Sequence, residues 1–132
     1  MDNKPVKVTL KKQTLAEKYP DLTISRHEDA LICSARFELL MGFDEAAALV
    51  GEKMEGLRDW VNDNGAFVGH IKAALLHETR SALLSTTGEH VSAKLSEYSK
   101  VTVALTCISL LVQDESAYCA QVRAIKDSLT AL

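Results

Sequence analysis

The amino-acid sequence predicts an α+β fold: a single antiparallel sheet of four to five strands with two amphipathic helices packed on one face. Three observations carry this. The stretch from Ala66 to Val112 holds apolar runs at Phe67–Leu76, Ser81–Thr87, Val91–Leu95 and Val101–Val112, cut by short polar breaks. The last run, VTVALTCISLLV, is rich in Val and Thr and has no Gly or Pro. Such stiff β-branched side chains pack well on a pleated surface, which favours strand over helix. Two segments outside this stretch, Asp44–Asn62 and Asp114–Leu129, repeat their apolar residues every three or four positions, the period of a helix with one stripe toward the core.

Residues 1–20 read as a polar lead-in. Val6, Val8 and Leu10 alternate with Lys7, Thr9 and Lys11, which can supply an edge strand with basic residues toward solvent. Tyr19-Pro20 stops whatever precedes it, because the residue before proline is pushed out of the helical region. Asp21–Asp29 is polar and reads as a connection. In Ala30–Leu40 the residues Leu31, Cys33, Ala35, Phe37 and Leu39 alternate with Ile32, Ser34, Arg36 and Glu38, although Leu31, Ala35 and Leu39 also fit a helical spacing. The alternation is the cleaner pattern and Gly42 ends it, so strand is preferred.

The first helix has Asp44 as its cap and acidic Asp44 and Glu45 at the positive end of the dipole. Its expected core stripe is Ala47, Val50, Met54, Leu57 and Val61, with Gly51 marking close packing on the sheet. Asn62-Asp63-Asn64-Gly65 ends it, since Asn and Gly tolerate the left-handed conformation a helix stop requires. Short breaks at His77–Arg80, Thr87–Glu89 and Ser96–Lys100 suit hairpins, giving a meander. The closing helix is capped by Asp114 and buries Tyr118, Val122, Ile125 and Leu129, with Leu132 continuing the stripe. No repeat or linker interrupts residues 1–132, so a single domain is expected.

Composition narrows the class. The 132 residues are 47% apolar and 25% charged, with a net charge of −3, the profile of a globular domain able to bury a core. A small negative charge argues against nucleic-acid binding, which needs Lys and Arg to neutralise phosphates. The longest apolar run is broken by Thr and Ser and is far shorter than the roughly 20 residues of a membrane-spanning helix. The opening MDNKPVKVTLKK holds no apolar core of a secretory leader. Cys33, Cys107 and Cys119 are odd in number, share no CxxC spacing and fall within apolar patterns, as free core thiols do. A cytoplasmic protein is expected.

Gly65-Ala-Phe-Val-Gly-His-Ile-Lys72 is the most suggestive local segment. Gly69 within a strand marks a bulge or a close approach. His70 and Lys72, two apart, share one face of a strand and could bind a small anion or move a proton, with Glu78 or Glu89 as the acidic complement. The plainer reading is a solvent-facing polar row opposite Phe67, Ile71 and Ala73. His77 and His90 could meet across a hairpin as metal ligands, but neither completes a motif such as HExxH, and surface histidines are the simpler account. Trp60 with Met54 and Leu57 at helical spacing reads as core rather than as a pocket wall. There is no GxSxG, Walker loop or GxGxxG, and no cofactor is implied.

A sheet covered on one side leaves its other face, with Ser92, Lys94, Thr102 and Thr106, for solvent or association. Ala104, Ile108 and Leu110 share the phase of Thr102 and Thr106 and make that face partly apolar. The leading expectation is therefore a small non-enzymatic binding or accessory protein acting as a homodimer. The alternative is a small enzyme or ligand-binding protein with its site around His70 and Lys72.

Overall fold

The alternation over Ala30–Leu40 resolves as a strand, and it decides the layering of the molecule. The structure, a computed structural model, describes residues 13–78, 81–86, 91–96 and 100–132, and the side chains of 13–77 and 100–132 among them. The elements run α1 (Leu15–Lys18), β1 (Thr23–His27), β2 (Ala30–Leu39), α2 (Phe43–Asp63), β3 (Phe67–Glu78), β4 (Ser81–Thr86), β5 (Val91–Ser96), β6 (Lys100–Leu110) and α3 (Glu115–Thr130). Four strands form one antiparallel sheet in the order β1-β2-β6-β3, and β4 pairs with β5 in a separate two-stranded ladder. The lead-in strand expected at Val6–Leu10 lies outside the described residues.

This order is not a meander. Strands β2 and β3 each pair antiparallel with β6, so they run parallel to one another with β6 between them. Parallel strands need a crossover of a dozen or more residues, and α2 supplies it. The apolar runs identify the strands but carry no information on which neighbour each one takes. Asp21–Asp29, read as a connection, contains β1: its register with β2 runs from Thr23↔Ser34 to His27↔Ala30 across the two-residue turn Glu28-Asp29. Its sequence is polar because β1 is an edge strand, exposed everywhere except at the half-buried Ile24.

Burial alternates strictly along the two central strands. Leu31, Cys33, Ala35, Phe37 and Leu39 of β2, and Val101, Val103, Leu105, Cys107 and Ser109 of β6, lie beneath the helices. Helix α3 packs on β2, and α2 packs on β3. From α2 come Ala46, Val50, Leu57 and Val61, and from α3 Tyr118, Cys119, Val122, Ile125 and Leu129. Ala46 rather than Ala47 faces the core, Leu132 is exposed, and Gly51 has open space where a Cβ would sit, so it marks no close packing. Asp114 caps α3, its carboxylate accepting from the Ala117 N–H at 3.0 Å, whereas Gly42 occupies the N-cap of α2 with no side-chain bond. The lead-in is not wholly polar either. Tyr19 closes the short α1 and is buried, its hydroxyl donating to the Ser116 carbonyl at 3.0 Å.

Among the described residues one polar side chain is buried in this core. The Ser109 hydroxyl, 0% exposed, donates to the Tyr118 hydroxyl at 3.0 Å. Tyr118→Phe strands the Ser109 hydroxyl without its partner, which costs about 1–2 kcal/mol of stability. In urea denaturation the double variant with Ser109→Ala should recover part of that loss, because both polar groups are then gone. A single-variant loss no larger than that of an exposed Tyr→Phe change would show the bond contributes nothing.

Candidate functional site

Among the described residues the helices pack on one side of the sheet and leave the opposite face uncovered, and the register fixes its rows. Across β3, β6, β2 and β1, the first row is Phe67, Leu110, Ala30 and His27. The second is His70, Ile108, Ile32 and Ser25, and the third Lys72, Thr106, Ser34 and Thr23. Farther along come Ala74, Ala104 and Arg36, then Leu76, Thr102 and Glu38. Glu38 is paired with Lys100 at 3.2 Å. The first two rows are thus largely apolar in their middle, and the third is hydroxylic.

Phe67 stands on this face because of a bulge. The β3–β6 register shifts between Val68 and His70, so Gly69 is the extra residue. A Cβ on Gly69 would lie 3.2 Å from the Ile108 carbonyl oxygen, which explains glycine there. The shift breaks the two-residue period, so Val68 points to the helices while Phe67, His70 and Lys72 share the open face. The expectation that Phe67 lies opposite His70 fails for that reason. Phe67 is 58% exposed and Leu111, just past β6, is 53% exposed. Leu111 also has φ of 58°, a left-handed conformation uncommon for leucine, and its N–H donates to the Asp29 carbonyl at 3.2 Å. These residues, with His27, Glu28, Asp29, Ala30 and Leu110, line a notch of about 390 Å³ at one end of the sheet.

His70 and Lys72 do lie on one face, both exposed, with Ile108 and Thr106 as their register partners on β6. Glu78 does not join them. It closes β3 opposite Lys100, six residues beyond Lys72, which is about 20 Å along a strand. His77 sits at that far end, its ring 5.7 Å from the Phe43 ring. His90 and Glu89 lie outside the described residues. Among the described residues no group of three or more His, Cys, Asp or Glu is placed to hold a metal ion.

Two further features belong to the helical side. A cleft of about 450 Å³ between α2 and α3 is lined by Glu52, Lys53, Gly56, Leu57, Trp60, Gln121, Ala124, Ile125 and Ser128. Leu57 is buried, and Trp60 and Met54 pack half-buried against the core, the Trp60 ring 6.4 Å from that of Tyr118. The three cysteines are free and buried where β2, β6 and α3 meet. A hydrogen bond to Cys119, reinforced by burial, pushes the Cys33 thiol up, and burial alone pushes Cys107 up to about 12. Cys33 and Cys107 are protonated core thiols, not nucleophiles, which need a thiolate, while the same hydrogen bond draws the Cys119 thiol down.

Comparison with known proteins finds no matching family model, curated protein or solved structure. No described helix is long and apolar enough to cross a membrane. The surface itself is therefore the basis for a functional reading. Sequence alternation alone located Ala104, Ile108 and Leu110 on it. It missed Phe67 and the acidic turn, although Gly69 carried the signal for the first.

Proposed function

We propose that this chain is a small, non-enzymatic binding or accessory protein of the cytoplasm that works as a homo-oligomer, with the uncovered sheet face as its working surface. The observation that supports this is the apolar cluster at one end of that face, where Phe67, Leu110 and Leu111 stay exposed beside half-buried Ile32 and Ile108. Contiguous exposed apolar side chains on a soluble domain mark association surfaces. Three free core cysteines suit a reducing compartment. A small enzyme or anion-binding protein centred on His70 and Lys72 has less support, because those side chains stand exposed with Ile108 and Thr106 as their register partners, neither of them acidic.

Native mass spectrometry tests the proposal on protein purified without chelators or affinity metal. The expected species is a dimer with no extra mass. A monomer that retains a metal ion or small molecule overturns it and moves attention to His70, His77 and His90.

A further inference from the structure

Resting on that homo-oligomeric reading, we propose that two copies of this chain join edge to edge through β3, antiparallel about a two-fold axis perpendicular to the sheet, so that each copy brings Glu78 to the His70 and Lys72 pair of the other. The strand order β1-β2-β6-β3 gives the sheet two edges. At one, β1 has five residues, and short edge strands resist further pairing. At the other, β3 has twelve residues and pairs only with β6 among the described residues, so its outer side presents a row of open N–H and C=O groups. Its helix-side row is half covered as well. Ile71, Ala73 and Leu75 are half-buried, whereas their register partners Cys107, Leu105 and Val103 are at most 1% exposed.

The strand sets its own register. Beyond the bulge at Gly69, His70–Glu78 runs without a shift. Pairing the whole of this stretch with its copy places Ala74 on the axis, and each residue then faces the one equally far beyond Ala74. On the open face His70 stands opposite Glu78 of the second copy, and Lys72 stands opposite Leu76 with Glu78 on its diagonal. Oppositely charged residues at such positions stabilise a sheet, and like charges directly opposite destabilise it. No like charges face each other here, and the residue that meets itself is an alanine. The acidic complement that lies about 20 Å from Lys72 within one chain is thus supplied by the other chain, twice by symmetry.

On the helix side the same register joins a knob to a hole. A groove of about 390 Å³ is lined by Gly51, Met54, Glu55, Arg58, Val68 and Ile71. The cleft toward α3 takes the opposite side of α2, with Glu52, Gly56 and Trp60. The groove therefore opens beside the outer edge of β3. At the far end of β3 the exposed His77 ring lies 5.7 Å from that of Phe43, itself 40% exposed. Ile71 and His77 are equally far from Ala74, so the aromatic pair of each copy meets the groove of the other. Strand addition draws affinity from main-chain hydrogen bonds and specificity from pockets that take alternate side chains, and this edge offers both. The two uncovered sheet faces become one continuous surface and stay free for binding.

The test is the oligomeric state of the full chain by light scattering and native mass spectrometry. Ala74→Lys sets two lysines against each other on the axis, and Ala74 is exposed, so the core is untouched. This variant should keep the wild-type circular dichroism and raise the dimer dissociation constant at least about tenfold. Glu78→Lys should weaken the dimer about tenfold, and adding His70→Glu should recover it, because the pair is only reversed. Ala74→Cys should give a reducible covalent dimer on oxidation with diamide. Leu76→Cys should not, because its two copies lie about 13 Å apart along the strands. A dimer that persists in Ala74→Lys, or that cross-links equally in both cysteine variants, overturns this interface and leaves the homo-oligomeric reading standing. A wild type that is monomeric at high micromolar concentration overturns both.

Discussion

Leu105→Ala is expected to lower the free energy of unfolding by about 2–5 kcal/mol, a large part of the roughly 5–15 kcal/mol available to a domain of this kind. Leu105 is 1% exposed at the middle of β6, the strand between β2 and β3. Its register neighbours are Ala35 on one side and Ala73 on the other. The sheet is thus built with one large side chain between two small ones, and neither alanine can expand into the space that truncation leaves. The cost of a large-to-small change grows with the cavity that remains, which places this site toward the upper part of the range. Leu76→Ala on the open face provides the contrast. Leu76 is 70% exposed, and its replacement should change stability by no more than about 0.5 kcal/mol. Urea midpoints for the two variants should therefore differ widely at equal slope. If Leu105→Ala costs less than about 1 kcal/mol, the helices relax over the gap and the core is softer than its packing indicates.

The same residues show what a sequence can and cannot specify. Alternation is a local property, so the phase of β2 and β6 was legible, although Ala30–Leu40 also fitted a helical spacing and the run Val101–Val112 overshot the end of β6 at Leu110. Helical period is local too, and α3 was legible down to its Asp114 cap. Its α2 counterpart was legible in its period but not in its details: Gly42 rather than Asp44 is the cap, Gly51 marks no close packing, and Ala46 rather than Ala47 is buried, a slip between chemically identical residues that only tertiary contact decides. Strand order is not local. The insertion of β6 between β2 and β3 depends on α2 carrying the chain across the sheet, which no strand composition encodes. Strand β1 was hidden because an edge strand needs few apolar residues, and a polar sequence such as Thr23–His27 reads as loop.

The candidate surface divides in the same way. Its β6 residues follow from counting in twos. Phe67 does not, because one extra residue at Gly69 reverses the phase of everything before it. His70 and Lys72 were correctly placed together, since they lie on the same side of that bulge. Their separation from Glu78 follows from the strand staying straight through Leu76 instead of turning back, and the short polar break after it gave no warning.

Stability is expected to fall steeply in alkali, and Cys107 supplies the part that can be isolated. It is 0% exposed at the centre of the sheet, and burial pushes its thiol from 9.0 up to about 12. In the unfolded chain the thiol ionises near its ordinary value. Between that value and about 12, the unfolded state has lost a proton that the native state retains. The native state then binds more protons than the unfolded state, so stability decreases as pH rises. The slope is about 1.4 kcal/mol per pH unit for one such group, beginning near pH 9, and the contribution is constant below that. Burial pushes the Tyr118 phenol up as well, so the decline steepens from pH 10. Cys33 and Cys119 share a hydrogen bond and shift in opposite directions, Cys33 up and Cys119 down, so their contributions partly offset. The measurement is a set of urea denaturation curves at pH 8, 9, 10 and 11 under reductant, for wild type and Cys107→Ala. The variant starts lower at pH 8 because it leaves a small cavity, but its decline with pH should be shallower by the slope of one thiol, so that the two curves converge. Parallel curves would mean that Cys107 ionises within the folded protein, and the centre of the sheet would then have to admit water.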